Sequence, residues 1–150
     1  MPVLRAVTIA RAETTGYPGG NEKRGAGMSR AFVFPGQGAQ AVGMGRALAG
    51  AYPAARAVFD EVDAALGEKL SALIWEGDAE VLQLTQNAQP ALMATSMAAM
   101  RALEAEGVSV TSAAFVAGHS LGEYSALCAA GELTLADTAR LLRLRGKAMQ

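Results

Sequence analysis

A single cysteine, a single histidine, little net charge and no long apolar run are the first marks of this 150-residue sequence, and each scarcity excludes something. Cys128 alone cannot close an internal disulfide. Set between Leu127 and Ala129, it reads as a small buried hydrophobe rather than a reactive thiol, so a reducing, cytoplasmic compartment is expected. A formal net charge of −1 and 5% aromatic residues leave no broad basic surface and no interleaving of basic and aromatic side chains, which argues against nucleic acid as a partner. No stretch reaches the ~18 consecutive apolar residues of a membrane-spanning helix. Even Ala91 to Met100 is broken by Thr95 and Ser96, so no membrane partner is expected. No metal site and no cofactor are expected either.

What is present is the composition of a globular domain, 51% hydrophobic and 18% charged. A chain of this size can bury roughly two-thirds of its unfolded surface, enough for a core without staples. Residues 1–27 stand apart: Thr14-Thr15-Gly16-Tyr17-Pro18-Gly19-Gly20-Asn21 leads into a Gly-rich charged stretch with no hydrophobic period. This segment is expected to be a disordered leader, upstream of a natural start at Met28. The apolar run of a secretion signal is missing, and Glu13 and Glu22 fit a transit peptide badly.

From residue 28 to 150 the pattern is that of strands alternating with helices. Ala31-Phe32-Val33-Phe34 reads as a short buried strand stopped by Pro35-Gly36. Helices are predicted over Arg46 to Tyr52 and Ala54 to Leu66, the latter closed by Gly67. A further helix is predicted to open at Pro90 and run to about Glu106, with Ala91, Ala94, Ala98 and Ala102 forming a small-residue stripe suited to packing on a sheet. Ala113 to Ala117 is the second strand candidate, followed by a helix from Glu123 to Ala130 that Gly131 ends. Thr134 and Asp137 form a capping pair for a last helix from Leu135, still running at Gln150. The fold class is therefore α/β, a parallel sheet flanked by helices and incomplete.

Gly118-His119-Ser120-Leu121-Gly122 fits the G-x-S-x-G nucleophile elbow between a predicted strand and a predicted helix. The flanking glycines allow close backbone approach. Ser120 would take a strained conformation that presents its hydroxyl at the helix N-terminus, where the Leu121 N–H and the helix dipole face a forming oxyanion. His119 is adjacent to the serine, and neighbours at an elbow point apart, so a packing role is preferred over that of a base. On the last helix, Arg140, Arg143 and Lys147 form a stripe read as a solvated face rather than a docking patch for an acidic partner. Arg145 falls on the apolar side, between Leu141 and Met149. A guanidinium there must find an anion, either a structural carboxylate or one brought by a substrate. Gln37, in a Gly-rich loop after the first strand, is either a second oxyanion donor or a turn residue.

Three motifs in order, Phe34-Pro35-Gly36-Gln37-Gly38-Ala39-Gln40, Gly118-His119-Ser120-Leu121-Gly122-Glu123-Tyr124-Ser125-Ala126-Leu127 and Arg145-Gly146-Lys147-Ala148-Met149-Gln150, resemble the malonyl-CoA:acyl-carrier-protein transacylases of fatty-acid synthesis. The resemblance covers Met28 to Gln150 and includes Gln86-Asn87-Ala88-Gln89-Pro90-Ala91-Leu92. It implies a hydrolase-like α/β domain and a monomeric acyltransferase acting on malonyl-CoA and acyl carrier protein. In it Ser120 would be acylated, the backbone N–H groups of Gln37 and Leu121 would form the oxyanion hole, and Arg145 would pair with malonate's free carboxylate. It also implies that the histidine activating the serine, and a ferredoxin-like subdomain, belong to a region beyond residue 150. Two other readings stand beside it. An esterase or lipase often shares Gly-His-Ser-Leu-Gly, but Glu123 follows Gly122 where a lipase often has another glycine, no His-Gly-Gly precedes the elbow, and a neutral ester gives Arg145 no task. A truncated, non-catalytic fragment differs from the enzyme only beyond Gln150.

Overall fold

The computed structural model describes residues 7–11 and 30–150. Among the described residues three strands form one sheet: β1 (Val7–Arg11), β2 (Ala31–Phe34) and β3 (Phe115–His119), in the order β1-β3-β2. β2 and β3 run parallel, with Ala31 opposite Phe115 and Phe34 opposite Gly118, as expected of an α/β sheet. β1 pairs antiparallel along the other edge of β3, from Val7 opposite His119 to Arg11 opposite Phe115. Of the segment read from sequence as a leader without structure, the described part is thus a strand; the remainder, with Met28, lies outside the described residues. β3 starts two residues later than the apolar run suggests, after a 3₁₀ turn over Val110–Ser112.

Seven helices occupy the described residues: α1 (Arg46–Ala51), α2 (Pro53–Leu66), α3 (Leu70–Glu76), α4 (Ala79–Gln83), α5 (Thr85–Ala105), α6 (Leu121–Ala130) and α7 (Leu135–Met149). Gly67 and Gly131 close α2 and α6 in left-handed conformations, and the Thr134 hydroxyl accepts the Asp137 N–H at 3.1 Å to cap α7. These are the stops and starts the sequence announces. α3 and α4 are not anticipated. The first is capped from a distance, the buried Asp63 of α2 accepting from Ser71 N–H at 2.9 Å and from Ser71 Oγ at 2.7 Å. The second has an ordinary cap in Asp78, which accepts from Glu80 N–H at 2.7 Å.

One expectation is corrected outright: Pro90 lies inside α5, which begins five residues earlier at Thr85. Proline has no N–H, so the Gln86 carbonyl one turn earlier loses its helical donor. That carbonyl accepts from Arg143 Nη1 of α7 at 2.8 Å instead, and the helix continues through the proline.

The small-residue stripe of α5 is buried, Ala91, Ala94 and Ala98 fully so. It does not lie on the sheet as anticipated. α5 packs chiefly against α7 and α2, while α6 is the helix that covers β3 and β2. The side chains of Phe34 and Val116 point into this core. On the opposite face Val33 is 74% exposed and Phe115 48%, so among the described residues one side of the sheet is bare. Parallel sheets are ordinarily covered on both faces. No helix among the described residues is long and apolar enough to cross a membrane.

Candidate active site

The site is made where β3 hands over to α6. Ser120 has φ 57° and ψ −113°, and is the one non-glycine residue with positive φ among those described. Such a conformation is costly for a side chain with a Cβ and is the strained elbow anticipated from Gly-His-Ser-Leu-Gly. Its flanking glycines are required by contact. A Cβ on Gly118 would stand 2.5 Å from the Glu123 nitrogen of α6, and one on Gly122 would stand 2.8 Å from the Pro35 carbonyl oxygen. The helix therefore crosses the ends of β2 and β3 backbone to backbone.

The same crossing brings the loop after β2 to the elbow. A Cβ on Gly36 would lie 2.7 Å from His119 Nδ1, so the His119 ring lies over Gly36. His119 is exposed, and no hydrogen bond joins it to Ser120. Gln37, next in the loop, is exposed and donates from Nε2 to Thr85 Oγ1 at 3.4 Å. Leu121 is the first residue of α6, where backbone N–H groups have no intrahelical acceptor.

Arg145 reaches the serine from α7. Its Nη2 donates to Ser120 Oγ at 3.0 Å and its Nη1 to Gln89 Oε1 at 2.6 Å, while its guanidinium carbon lies 5.7 Å from the centre of the Tyr124 ring. None of the ion pairs among the described residues involves Arg145. Of the two anions open to it from sequence, a structural carboxylate is thus not found within ion-pair distance among the described residues, and two of its five N–H donors are committed to neutral oxygens. Gln89 is fully buried and belongs to the site, although sequence reasoning has no role for it.

α7 can come this close because Gly146 has no side chain. A Cβ there would stand 2.7 Å from the Thr85 carbonyl oxygen and 2.8 Å from the Gln86 nitrogen. The reading of Arg140, Arg143 and Lys147 as one solvated stripe is corrected at Arg143. Its side chain is 12% exposed, bonded to the Gln86 carbonyl, the Asn87 side chain and the Glu68 carboxylate, and burial pulls its pKa below the ordinary value. Cys128 is half-buried on α6, and burial pushes its thiol pKa up, as suits a packing residue. A recess of about 300 Å³ beside it, lined by Met97, Met100 and Leu135 among others, lies apart from Ser120.

Residues 31–150 match the profile described as acyl transferase domain. A malonyl CoA-acyl carrier protein transacylase of Bacillus subtilis is 54% identical over 119 residues, 79% of this chain and 37% of that protein. The crystal structure of an acyl-carrier-protein-S-malonyltransferase from Bartonella henselae superposes with a TM-score of 0.80 at 64% identity, covering 82% of this chain and 40% of that one. A malonyl-transacylase solved in complex with its type II polyketide acyl-carrier protein superposes at 0.77 with 45% identity, covering 82% and 39%. The chain spans about two-fifths of the length of these proteins, and β1 precedes the residues that the profile matches.

Proposed function

Because the chain belongs to the acyl transferase domain family, we propose that it is the nucleophile-bearing part of an enzyme that moves a malonyl group from malonyl-CoA to acyl carrier protein in fatty-acid synthesis. The observation that carries this reading is the pair of hydrogen bonds from Arg145, to Ser120 Oγ and to Gln89 Oε1. A guanidinium held beside a nucleophile by neutral partners suits an acyl donor with a negative charge at its far end.

In this mechanism Ser120 Oγ attacks the thioester carbon of malonyl-CoA. The Leu121 and Gln37 N–H groups receive the developing oxyanion, the carbon–sulfur bond breaks and CoA departs with a proton. Malonate's carboxylate takes the free donors of Arg145, whose Nη2 turns from the serine oxygen as that oxygen becomes an ester. The phosphopantetheine thiol of the carrier protein then attacks the ester and restores the serine hydroxyl. The base that takes the serine proton is, by the resemblance, a histidine in the region this chain does not span. A serine hydroxyl without a base is a weak nucleophile, so the 150-residue chain alone turns over slowly in this account. Nothing in this reaction needs a metal or cofactor, and it takes place in the cytoplasm.

The test compares the chain with a fusion of the chain to the remaining C-terminal part of the Bacillus subtilis relative, timing malonyl transfer to carrier protein at equal folded concentration. The fusion should transfer malonyl and the chain alone should do so far more slowly. Loss of a triad member can leave about 10³ to 10⁴-fold catalysis over water, so the comparison must be of rates. No transfer by a folded fusion would remove the reading, and equal rates would put the base within these 150 residues.

A further inference from the structure

The arc of α7 that meets α5 is bounded by two arginines. At ~100° per residue, Arg145, Met149, Leu142, Gly146, Gln150 and Arg143 follow one another around the helix, with Arg143 and Arg145 about 160° apart. Between them lies the seam: Gly146 sits against the backbone of Thr85 and Gln86, and the Gln150 side chain accepts the Thr85 N–H at 2.9 Å. Leu142 and Ala139 anchor α7 in the core and α2 packs against it, but the seam with α5 is itself smooth, with a glycine at its closest point. Arg145 lies on one side and would swing away from Ser120 if α7 rolled.

On the other side Arg143 opposes that rotation. Its guanidinium supplies the donor that Pro90 lacks, binding the Gln86 carbonyl at 2.8 Å, and it also bonds the Asn87 side chain and the Glu68 carboxylate at the turn between α2 and α3. Three acceptors on two separate elements fix a planar fork in position and orientation, which a single bond would not do. We propose that Arg143 is a positioning residue: by filling the carbonyl freed at Pro90 and tying it to Glu68, it fixes the rotation of α7 about its seam with α5, and so sets Arg145 at Ser120. The consequence for acyl choice rests on the carboxylate-binding role proposed for Arg145; the geometric claim does not.

The experiment follows the Arg145 Nε–H resonance in the ¹⁵N-labelled 150-residue chain, alongside calorimetric titration with malonyl-CoA and acetyl-CoA. In Arg143→Gln, which cannot span the three acceptors, the resonance should move. The preference for malonyl-CoA over acetyl-CoA should fall about ten-fold, the scale of one charged hydrogen bond, with acetyl-CoA affinity kept. Arg143→Lys, which keeps the charge without the fork, should recover part of both. An unmoved resonance with an unchanged preference overturns the proposal, as does an equal loss of both affinities with the resonance in place, which marks a merely structural residue. If the parent chain binds both thioesters alike, the carboxylate reading of Arg145 fails; in that case, or if it binds neither, the resonance alone decides: displaced in Arg143→Gln it upholds the positioning role, unmoved it ends it. Should Arg143→Gln not fold, Arg143→Lys is read by the same outcomes.

Discussion

Gln89, fully buried on α5, gives its carboxamide oxygen to Arg145 Nη1 at 2.6 Å, and the same guanidinium reaches Ser120 Oγ at 3.0 Å. A neutral acceptor orients the arginine without neutralising it. Gln89→Glu keeps the shape but supplies a permanent carboxylate on the same guanidinium, beside the donors proposed for malonate's. Malonyl-CoA binding should weaken by about 1.5–3 kcal/mol, the worth of a hydrogen bond to a charged group, with acetyl-CoA little affected. Calorimetric titration of both thioesters measures it, and an unchanged ratio would leave Gln89 without that role.

Glycines of the fold separate into two kinds. Gly122→Ala would drive a Cβ to 2.8 Å from the Pro35 carbonyl oxygen, between two backbones that cannot yield without moving the elbow. It should cost about 1–3 kcal/mol, the scale of overpacking, read as a lower midpoint of thermal unfolding by circular dichroism. Gly50, exposed inside α1 with open space where a methyl group would stand, is the opposite case. Gly50→Ala should stabilise by about 0.5–1 kcal/mol through helix propensity, and a fall in midpoint would show that α1 is held in a form only glycine permits.

β1 pairs with β3 along all five of its residues and so covers the edge of the strand that leads to Ser120. Removing residues 1–11 should lower the unfolding midpoint and promote concentration-dependent association, since a free strand edge beside a bare face invites pairing. Analytical ultracentrifugation and thermal unfolding check this together. A monomer of unchanged midpoint would mean that β1 adds nothing to the fold.

Cys128 offers a chemical check on packing. Burial raises its thiol pKa, so near pH 8 less of it is thiolate in the folded chain than in the unfolded one, and alkylation should be slower until denaturant is added. The sign for stability is set by the same shift: a pKa raised by folding gives a contribution complete below the unfolded value and lost as pH rises through the folded one. Equal alkylation rates in folded and unfolded chain would place Cys128 on the surface.

Local sequence carries the parts of this structure that are local in cause. Ala31–Phe34, the Gly-His-Ser-Leu-Gly elbow, the glycine stops at 67 and 131 and the Thr134–Asp137 cap each depend on neighbours within a few residues, and each stands where the pattern puts it. What escapes depends on distant partners. Pro90 looks like a helix opener until Arg143, fifty-three positions later, provides for the Gln86 carbonyl. Arg143 looks solvated on a helical wheel because the wheel contains only its own helix. α3 is capped by Asp63, eight residues before Ser71 on another element. β1 carries a short run of β-branched residues, Val7-Thr8-Ile9, that a sequence dominated by its Gly-rich neighbours hides, and its pairing with β3 is visible only in the sheet. Within the site, Ser120 and Arg145 stand as separate anomalies of the sequence, and their hydrogen bond to each other joins them. Gln89, between Ala88 and Pro90, has no assignment from sequence because a buried amide has no signature apart from what it binds.

The claim that Ser120 takes the acyl group and Arg145 selects it by its free carboxylate is tested most directly by acyl-adduct formation, followed by intact-mass spectrometry on the fusion with the Bacillus subtilis C-terminal part, with malonyl-CoA and acetyl-CoA in parallel. Ser120→Ala should gain neither group. Arg145→Ala should lose malonyl loading by several kcal/mol in transition-state terms while acetyl loading is spared or improved, because acetyl has no carboxylate for the guanidinium to hold. A malonyl adduct on Ser120→Ala, or equal losses of malonyl and acetyl loading in Arg145→Ala, would contradict it.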